Sequence, residues 1–461
     1  MSAPDNAAKG RARALPDARP YSGYHNRPVE EDDSFLTRVG PGTPCGEYMR
    51  RYWHPFLLAS ELKDRPVPVR LLGEDLVAFR DGAGSLGLLH RHCVHRGTSL
   101  EYGIIAERGI RCCYHGWHFD VDGSILDTPA EPANSRIRSN FCQGAYHVRE
   151  SHGLVFAYMG PVGTVPEFPI YDTVDHPQDN QVVPFRMRIP CNWLQVVENA
   201  ADPIHNAFLH AIVAGQQFSA AFKVMPQLDF PETPLGFLSM ATRKVGDYLF
   251  VRASDIILPN VGQFPNGGNT VQQESVGVRP FLTRWSVPVD DHNAFYIGLA
   301  HLNSYNAGAR KMKREDFGVD KIPFIGQTGD RPYEERQREP GDYDAVASQG
   351  VIANRKAEHL GTADRGVVLI RRMLANAIRD LQAGNMPPVP RLYDQGRVRT
   401  YAHEVVMRIP AEVRLDDGAA LAGIGRNVAM TFVDTDHLPP AERERVVEQR
   451  IRRLFESAAV A

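Results

Sequence analysis

Cys93 and His95 in Cys93-Val94-His95, and Cys112 and His115 in Cys112-Cys113-Tyr114-His115, together form the pattern C-x-H-x16-C-x-x-H. Each hook offers one thiolate and one imidazole. A two-iron, two-sulfur cluster can take that set, with two thiolates on one iron and two imidazoles on the other. Neutral imidazoles in place of thiolates remove negative charge and raise the reduction potential, so the expected chemistry is one-electron transfer. Zinc motifs usually pair like with like, C-x2–4-C followed by H-x3–5-H. An isolated core cysteine is usually inert packing. Mixed hooks at this spacing favour the cluster over both.

A second constellation follows about a hundred residues later. Asn192 to His210 reads NWLQVVENAADPIHNAFLH and carries Glu198, Asn199, Asp202, His205 and His210. Two histidines and a carboxylate make the facial triad that holds a non-haem Fe(II) and leaves positions open for dioxygen. Five residues on an ideal helix turn about 500°, which leaves His205 and His210 about 140° apart. One metal between them therefore requires a local irregularity such as a π-bulge. Asp202-Pro203 also reads as an N-cap with proline at the first helical position.

The flanks of both constellations carry a resemblance. His92-Cys93-Val94-His95-Arg96-Gly97 and Cys112-Cys113-Tyr114-His115-Gly116-Trp117 resemble the two cluster loops of Rieske proteins. Cys113 sits where many relatives have proline and is read as a bystander; Gly97 and Gly116 would let backbone N–H groups approach the sulfurs. Trp117 shields the cluster or simply packs. Asp202-x-x-His205-x4-His210 after Glu198-Asn199 resembles the mononuclear-iron motif of the Rieske non-haem iron oxygenases, the ring-hydroxylating family. Three further segments resemble the phthalate-dioxygenase-like branch: Arg284 to Asp291, Pro340-Gly341-Asp342, and Glu358-His359-Leu360 running on to Asp364 and Gly366.

That resemblance implies a [2Fe–2S] Rieske cluster on Cys93, His95, Cys112 and His115, and a mononuclear Fe(II) on His205, His210 and Asp364. Glu358 competes with Asp364, which also reads as an N-cap. In the family the aspartate at the position of Asp202 joins an iron-bound histidine to a cluster histidine of the neighbouring subunit. Asn199 and Gln195 are candidates to orient substrate or iron-bound water. The implied protein is the terminal oxygenase (alpha) component of a multicomponent system, a homotrimer or a hexamer built as a dimer of trimers. It uses O2 and electrons from an NAD(P)H-dependent reductase of flavin or ferredoxin type to hydroxylate or dihydroxylate an aromatic acid or aryl ether. Oxidative O-demethylation is the alternative outcome. A bare Rieske electron carrier would not need the roughly 300 residues beyond residue 165. Val213, Phe208 and Phe218 are candidate pocket walls, each with a core-packing alternative, and Lys223, Arg243 and Arg252 are candidate partners for a substrate carboxylate.

The elements that must position these groups follow from the patterning. The implied fold is α+β: a small all-β Rieske domain, then a helix-grip (START-like) catalytic domain with a twisted antiparallel sheet and a long C-terminal helix. Short strands over Val67–Arg80 and Leu86–Leu89, an Asp122-Gly123 hairpin and a strand from Val148 to Met159 outline the first domain. Strand-like runs around Gly246-Asp247 and around Asp290 to Asn293 outline the sheet. Val367, Ile370, Leu374, Ala377, Ile378 and Leu381 recur at helical spacing until Gly384 and Pro387 stop the pattern. The expected division is an N-terminal arm at 1–44, the Rieske domain at 45–165, the catalytic domain at 166–388 and an extension at 389–461, in which Val447, Ile451, Leu454 and Phe455 form a stripe that docks on its own subunit.

Composition suits a cytoplasmic enzyme. The 461 residues carry a net charge of −3, which argues against a nucleic-acid or membrane partner. No run approaches the roughly 18 apolar residues of a membrane span, and the N-terminus lacks the apolar core of a secretory signal. Cys45, Cys113, Cys142 and Cys191 are expected as reduced thiols.

Overall fold

The computed structural model describes residues 19–23, 26, 33–174, 179–213, 218–265, 268, 270–278, 280–304, 312–387, 392, 393, 396–409 and 418–458. Most of the expected arm therefore lies outside the described residues, but its last part is packed. Val39 is fully buried and its N–H donates to Asp291 at 2.9 Å, while Arg38 pairs with the same carboxylate at 3.0 Å.

The cluster hooks hang from short antiparallel sheets. Val67–Leu71, Glu74–Arg80 and Leu86–His90 form one; Ile104–Ile105, Ile110–Arg111, His118–Phe119 and Ile125–Asp127 form another. The strand expected from Val148 to Met159 is instead two, His147–Ser151 and Leu154–Tyr158, paired antiparallel. His152 and Gly153 between them both have positive φ, the geometry of a two-residue hairpin turn.

Beyond them a ten-stranded antiparallel sheet carries the rest of the chain. Its main path runs Gln181–Ile189, Asn293–Leu302, Pro280–Asp290, Val261–Pro265, Tyr248–Ile257, Gly236–Val245, Gln227–Asp229. The helices Trp193–Ala201 and Arg365–Gln382 pack against each other, with Ile370, Leu374 and Ile378 fully buried. The amphipathic period read from the sequence is thus the buried stripe of that helix, and Gly384 ends it with φ near +91°. This is the expected α+β arrangement.

One apolar core joins the two parts. Phe156 of the cluster-bearing region stacks edge-on against Trp285 of the large sheet at 5.5 Å, among buried residues of both. The stretch after residue 388 is woven into the same sheet: His403–Arg408 pairs with Tyr248–Ile257. The helix Pro440–Ala458 buries Val447, Ile451 and Phe455 against a second core with Leu249, Val251 and Val405, as its stripe required. Among the described residues no helix is long and apolar enough to cross a membrane.

Candidate functional site

Local turns bring the four cluster residues together. In each hook a glycine with positive φ closes the loop: Gly97 donates to the Cys93 carbonyl at 2.8 Å, and Gly116 to the Cys112 carbonyl at 3.1 Å. The N–H groups that approach a sulfur belong to His95 and Arg96, which face Cys93; the glycines fold the loop that aims them. Cys93 and Cys112 are both 3% exposed. Burial first, then the adjacent Cys112, push the Cys93 thiol up to about 11. A thiol raised in this way ionises readily only with a cation beside it, which suits iron. The His95 and His115 rings lie 4.7 Å apart, and Trp117 both packs in the core and stacks on His95 at 4.4 Å. Cys113 is exposed, as a bystander should be. Sequence reasoning missed Gln143: its oxygen accepts from the Val94 N–H at 2.7 Å while its amide donates to the His90 and His92 carbonyls, pinning the first hook.

The second site forms where the helix geometry changes. His205–Phe208 is α-helical and Leu209–Val213 is a π-turn, so the five-residue spacing is accommodated as the sequence required. The two imidazoles lie 5.3 Å apart, centroid to centroid. His205 Nδ1 contacts the Asp202 carbonyl, which assigns that nitrogen the proton and leaves Nε2 free for a metal. Asp202 closes helix Trp193–Ala201 and does not stand at the N-cap of His205–Phe208, a position held by Ile204. One of its carboxylate oxygens accepts Ile204 N–H at 2.9 Å, and the other stands 3.8 Å from His205 Nδ1, partly exposed.

The third carboxylate is Asp342, and the assignment of Asp364 is corrected. His205, His210 and Asp342 place one ligand atom each within 4.8 Å of one another. Asp342 Oδ1 is 3.2 Å from His210 Nε2 and 3.6 Å from His205 Nε2. Asp364 instead stands at the N-cap of helix Arg365–Gln382, its carboxylate accepting Gly361 N–H at 2.6 Å. Glu358 is engaged by Arg371 through both oxygens. The signal for Asp342 was present in Pro340-Gly341-Asp342, but a helix-start carboxylate looks alike in both places.

Both oxygens of Asp342 are held. Gln327 Nε2 donates to Oδ2 at 2.7 Å and Asn199 Nδ2 to Oδ1 at 3.3 Å. Burial works to raise the Asp342 pKa, yet His210, His205 and Gln327 hold it well below the ordinary carboxylate range. Two glycines make the Gln327 contact possible: a Cβ on Gly341 would lie 2.3 Å from Gly326 Cα, so the backbones beside Gln327 and Asp342 touch only because both lack one. Gln195 is not among the residues that line the cavity beside these ligands. Its amide donates to the Val346 and Gly350 carbonyls and its oxygen accepts Ala353 N–H, stitching helix Trp193–Ala201 to the segment that carries Asp342.

These residues border a cavity of about 230 Å³. Phe185, Phe218, Phe264, Phe281 and Phe324 supply much of its apolar wall, and Arg252 and Arg284 reach it. Of the expected wall residues only Phe218 lines it; Phe208 and Val213 are half exposed on the outer surface. Lys223 is exposed, and Arg243 is buried apart from the lining, donating to the Val224 carbonyl.

A family model for the Rieske [2Fe-2S] domain matches residues 52–149. The chain is similar to the oxygenase subunit of tert-butanol monooxygenase / tert-amyl alcohol desaturase from Aquincola tertiaricarbonis, 43% identical over 454 residues, 94% of this chain and 95% of that protein. It is 37% identical to the phenoxybenzoate dioxygenase subunit alpha of Ectopseudomonas oleovorans over 79% of this chain and 89% of that one. Dicamba monooxygenase bound to dicamba shares the fold, with TM-score 0.54 and 18% identity over 74% of this chain and 100% of the other.

Proposed function

The chain belongs to the Rieske non-haem iron oxygenases, phthalate-dioxygenase-like branch, as an oxygenase subunit, and we propose that it oxygenates a small aromatic compound in the cavity beside His205, His210 and Asp342. The observation that carries this reading is the phenylalanine-lined cavity bounded directly by those three side chains. When bound, the [2Fe–2S] cluster and the mononuclear Fe(II) supply one-electron transfer and dioxygen activation. Cys93, His95, Cys112 and His115 would hold the first; His205, His210 and Asp342 the second.

The protein's own groups prepare that chemistry. The Asp202 carbonyl orients His205, Asn199 and Gln327 fix the Asp342 carboxylate, and the phenyl walls exclude water and position a flat ring. Electrons come from an external transfer partner, read here as an NAD(P)H-dependent reductase. The subunits assemble head to tail in a trimer or a dimer of trimers, with Asp202 offering a neighbouring subunit's cluster histidine an acceptor beside His205. Exposed apolar side chains support this docking: Val94 and Tyr114 flank the cluster imidazoles, and Phe208, Ile212 and Val213 flank the second site.

The 43% identity with a tert-butanol monooxygenase favours a second reading, attack on a branched aliphatic alcohol. The experiment is oxygen uptake by the reconstituted protein with a reductase, against aromatic acids, aryl ethers and tertiary alcohols. Uptake stimulated by an arene, with an oxygenated or dealkylated aromatic product, supports the first reading. Uptake with tertiary alcohols alone replaces it.

A further inference from the structure

Two serines face the cavity from the large sheet. Ser239 on strand Gly236–Val245 and Ser254 on strand Tyr248–Ile257 are register partners, so they stand side by side on one face, their Cβ atoms about 5 Å apart. Both line the cavity that His205, His210 and Asp342 border. The other face of the same strand pair carries Leu238, Met240, Val251 and Ala253, packed with the C-terminal helices. Ser239 is 3% and Ser254 4% exposed, and a buried hydroxyl is unfavourable unless its hydrogen bonds are made.

The protein satisfies only part of each serine, and the parts left over are complementary. A hydroxyl has one proton to donate and two lone pairs to accept with. Ser239 donates its proton to the Ala201 carbonyl at 3.3 Å, at the end of the helix that leads to His205. Its lone pairs take no donor among the described residues. Ser254 is the reverse. Its oxygen accepts from Arg252 at 3.3 Å, and its proton meets no acceptor among the described residues. Arg252 itself is committed to Glu404 at 3.4 Å and to the Pro265 carbonyl. Its guanidinium polarises the Ser254 hydroxyl and makes that O–H the stronger donor. An acceptor and a donor thus stand next to each other on the cavity wall.

We propose that Ser239 and Ser254 form a hydroxyl-reading subsite of the cavity and that the substrate carries a neutral phenolic hydroxyl. That group donates to Ser239 Oγ and accepts from the Ser254 O–H, using both of its functions at once. A carboxylate only accepts and would set its oxygens against the Ser239 lone pairs. An ether oxygen also only accepts, and a methyl group does neither. The proposal rests on the oxygenase reading of the site and adds the functional group by which the substrate is held.

Calorimetric titration of the purified protein carrying both iron centres tests it at pH 7, where a phenol is un-ionised. The ligands are 4-ethylphenol, 4-ethylanisole and 4-ethyltoluene. The phenol is expected to bind at least about tenfold more tightly than the toluene, whose methyl group is close to a hydroxyl in size, and more tightly than the anisole. Ser239→Ala should weaken the phenol about 3- to 10-fold and leave the anisole and the toluene within about twofold, because neither can donate. Ser254→Ala should weaken the phenol by a similar factor and leave the toluene within about twofold. If one variant does not fold, the other variant and the wild-type ranking decide. A loss shared by all three ligands would place the effect in cavity shape and overturn the proposal. So would equal binding of phenol and toluene, no binding of the phenol, or phenol affinity indifferent to both substitutions. Oxygen uptake separates the two readings. Uptake with the toluene, the anisole or tert-amyl alcohol and no preferential binding of the phenol keeps the oxygenase and removes the subsite. Serine-dependent phenol binding without uptake by any compound keeps the subsite and removes the oxygenase.

Discussion

Asp342 and Asp364 are both carboxylates at the start of a helix, and only their surroundings tell them apart. The first faces two imidazoles and an amide, the second a backbone N–H three residues away. Asp342→Ala should therefore abolish bound mononuclear iron, read by metal analysis, with the cluster absorbance retained. Asp364→Ala should keep both, at the cost of the hydrogen bond from Gly361 N–H, about 1 kcal/mol. Gln327 would act on a bound metal through Asp342, since its amide occupies the oxygen that does not face His210. Gln327→Leu is expected to lower Fe(II) affinity about 10- to 100-fold in a competition titration, the usual effect of losing a ligand's supporting hydrogen bond. Unaltered affinity would show that Asn199 alone suffices. The grouping of Cys93, His95, Cys112 and His115 and that of His205 with His210 were legible because local spacing sets them; the approach of Asp342 and Gln327 to the histidines was not, because chain segments far apart in sequence bring them together.

Helix Trp193–Ala201 joins the second site through residues on one of its faces. Gln195, Glu198 and Asn199 lie three and four positions apart, hence side by side, and each reaches a different piece of the 342–371 segment. Glu198 is the most committed. It accepts from Arg355 at 2.9 and 3.0 Å and from Arg371 at 2.6 Å, with Arg371 also clasped by Glu358. Glu198→Ala would leave two arginines short of their countercharge, a loss of roughly 3–5 kcal/mol where such pairs are buried. Urea unfolding should show a lower midpoint. A midpoint unchanged within error would mean that Glu358 compensates alone. At this scale the sequence foretold the π-turn, since a five-residue histidine spacing has few other solutions. It did not foretell the split of residues 147–158 into a hairpin, because His152-Gly153 is not one of the usual two-residue turn pairs and a single glycine also fits within one strand.

For the molecule as a whole, buried titratable groups set how stability depends on pH, and two opposite signs compete. His54, His301 and His403 are held neutral chiefly by burial, pushed down to about 4, about 3 and about 4. Each joins parts of the fold: His54 contacts the Met49 carbonyl, His301 lies between Asn180 and Thr283, and His403 stacks on Phe432. In the unfolded chain they take up protons below about pH 6.5, but in the folded chain only near their lowered values. Unfolding then binds up to three protons, so stability falls as pH drops from about 6.5 toward 4. Asp255 works against this. Burial raises it to about 7 despite the Tyr401 N–H it accepts, so the folded state holds an extra proton between about pH 4 and 7, and stability falls as pH rises through that window. Three uptakes against one release leave a net binding of about two protons on unfolding near pH 5. Urea midpoints should accordingly decline from pH 6.5 to 4.5. Asp255→Asn, which keeps an acceptor for Tyr401 N–H, should steepen that decline and raise stability more at pH 8, where the wild-type carboxylate is ionised, than at pH 4, where it is protonated. A gain equal at both pH values would place the effect in packing and not in charge. The same residue ties helix Pro440–Ala458 to the pH response: Arg443 on that helix is the nearby cation that lowers Asp255, and it also pairs with Asp172 at 3.6 Å. Arg443→Met should therefore raise the Asp255 pKa further and extend the protonated window above pH 7. It would show as a midpoint that falls more steeply between pH 7 and 8 than that of the wild type.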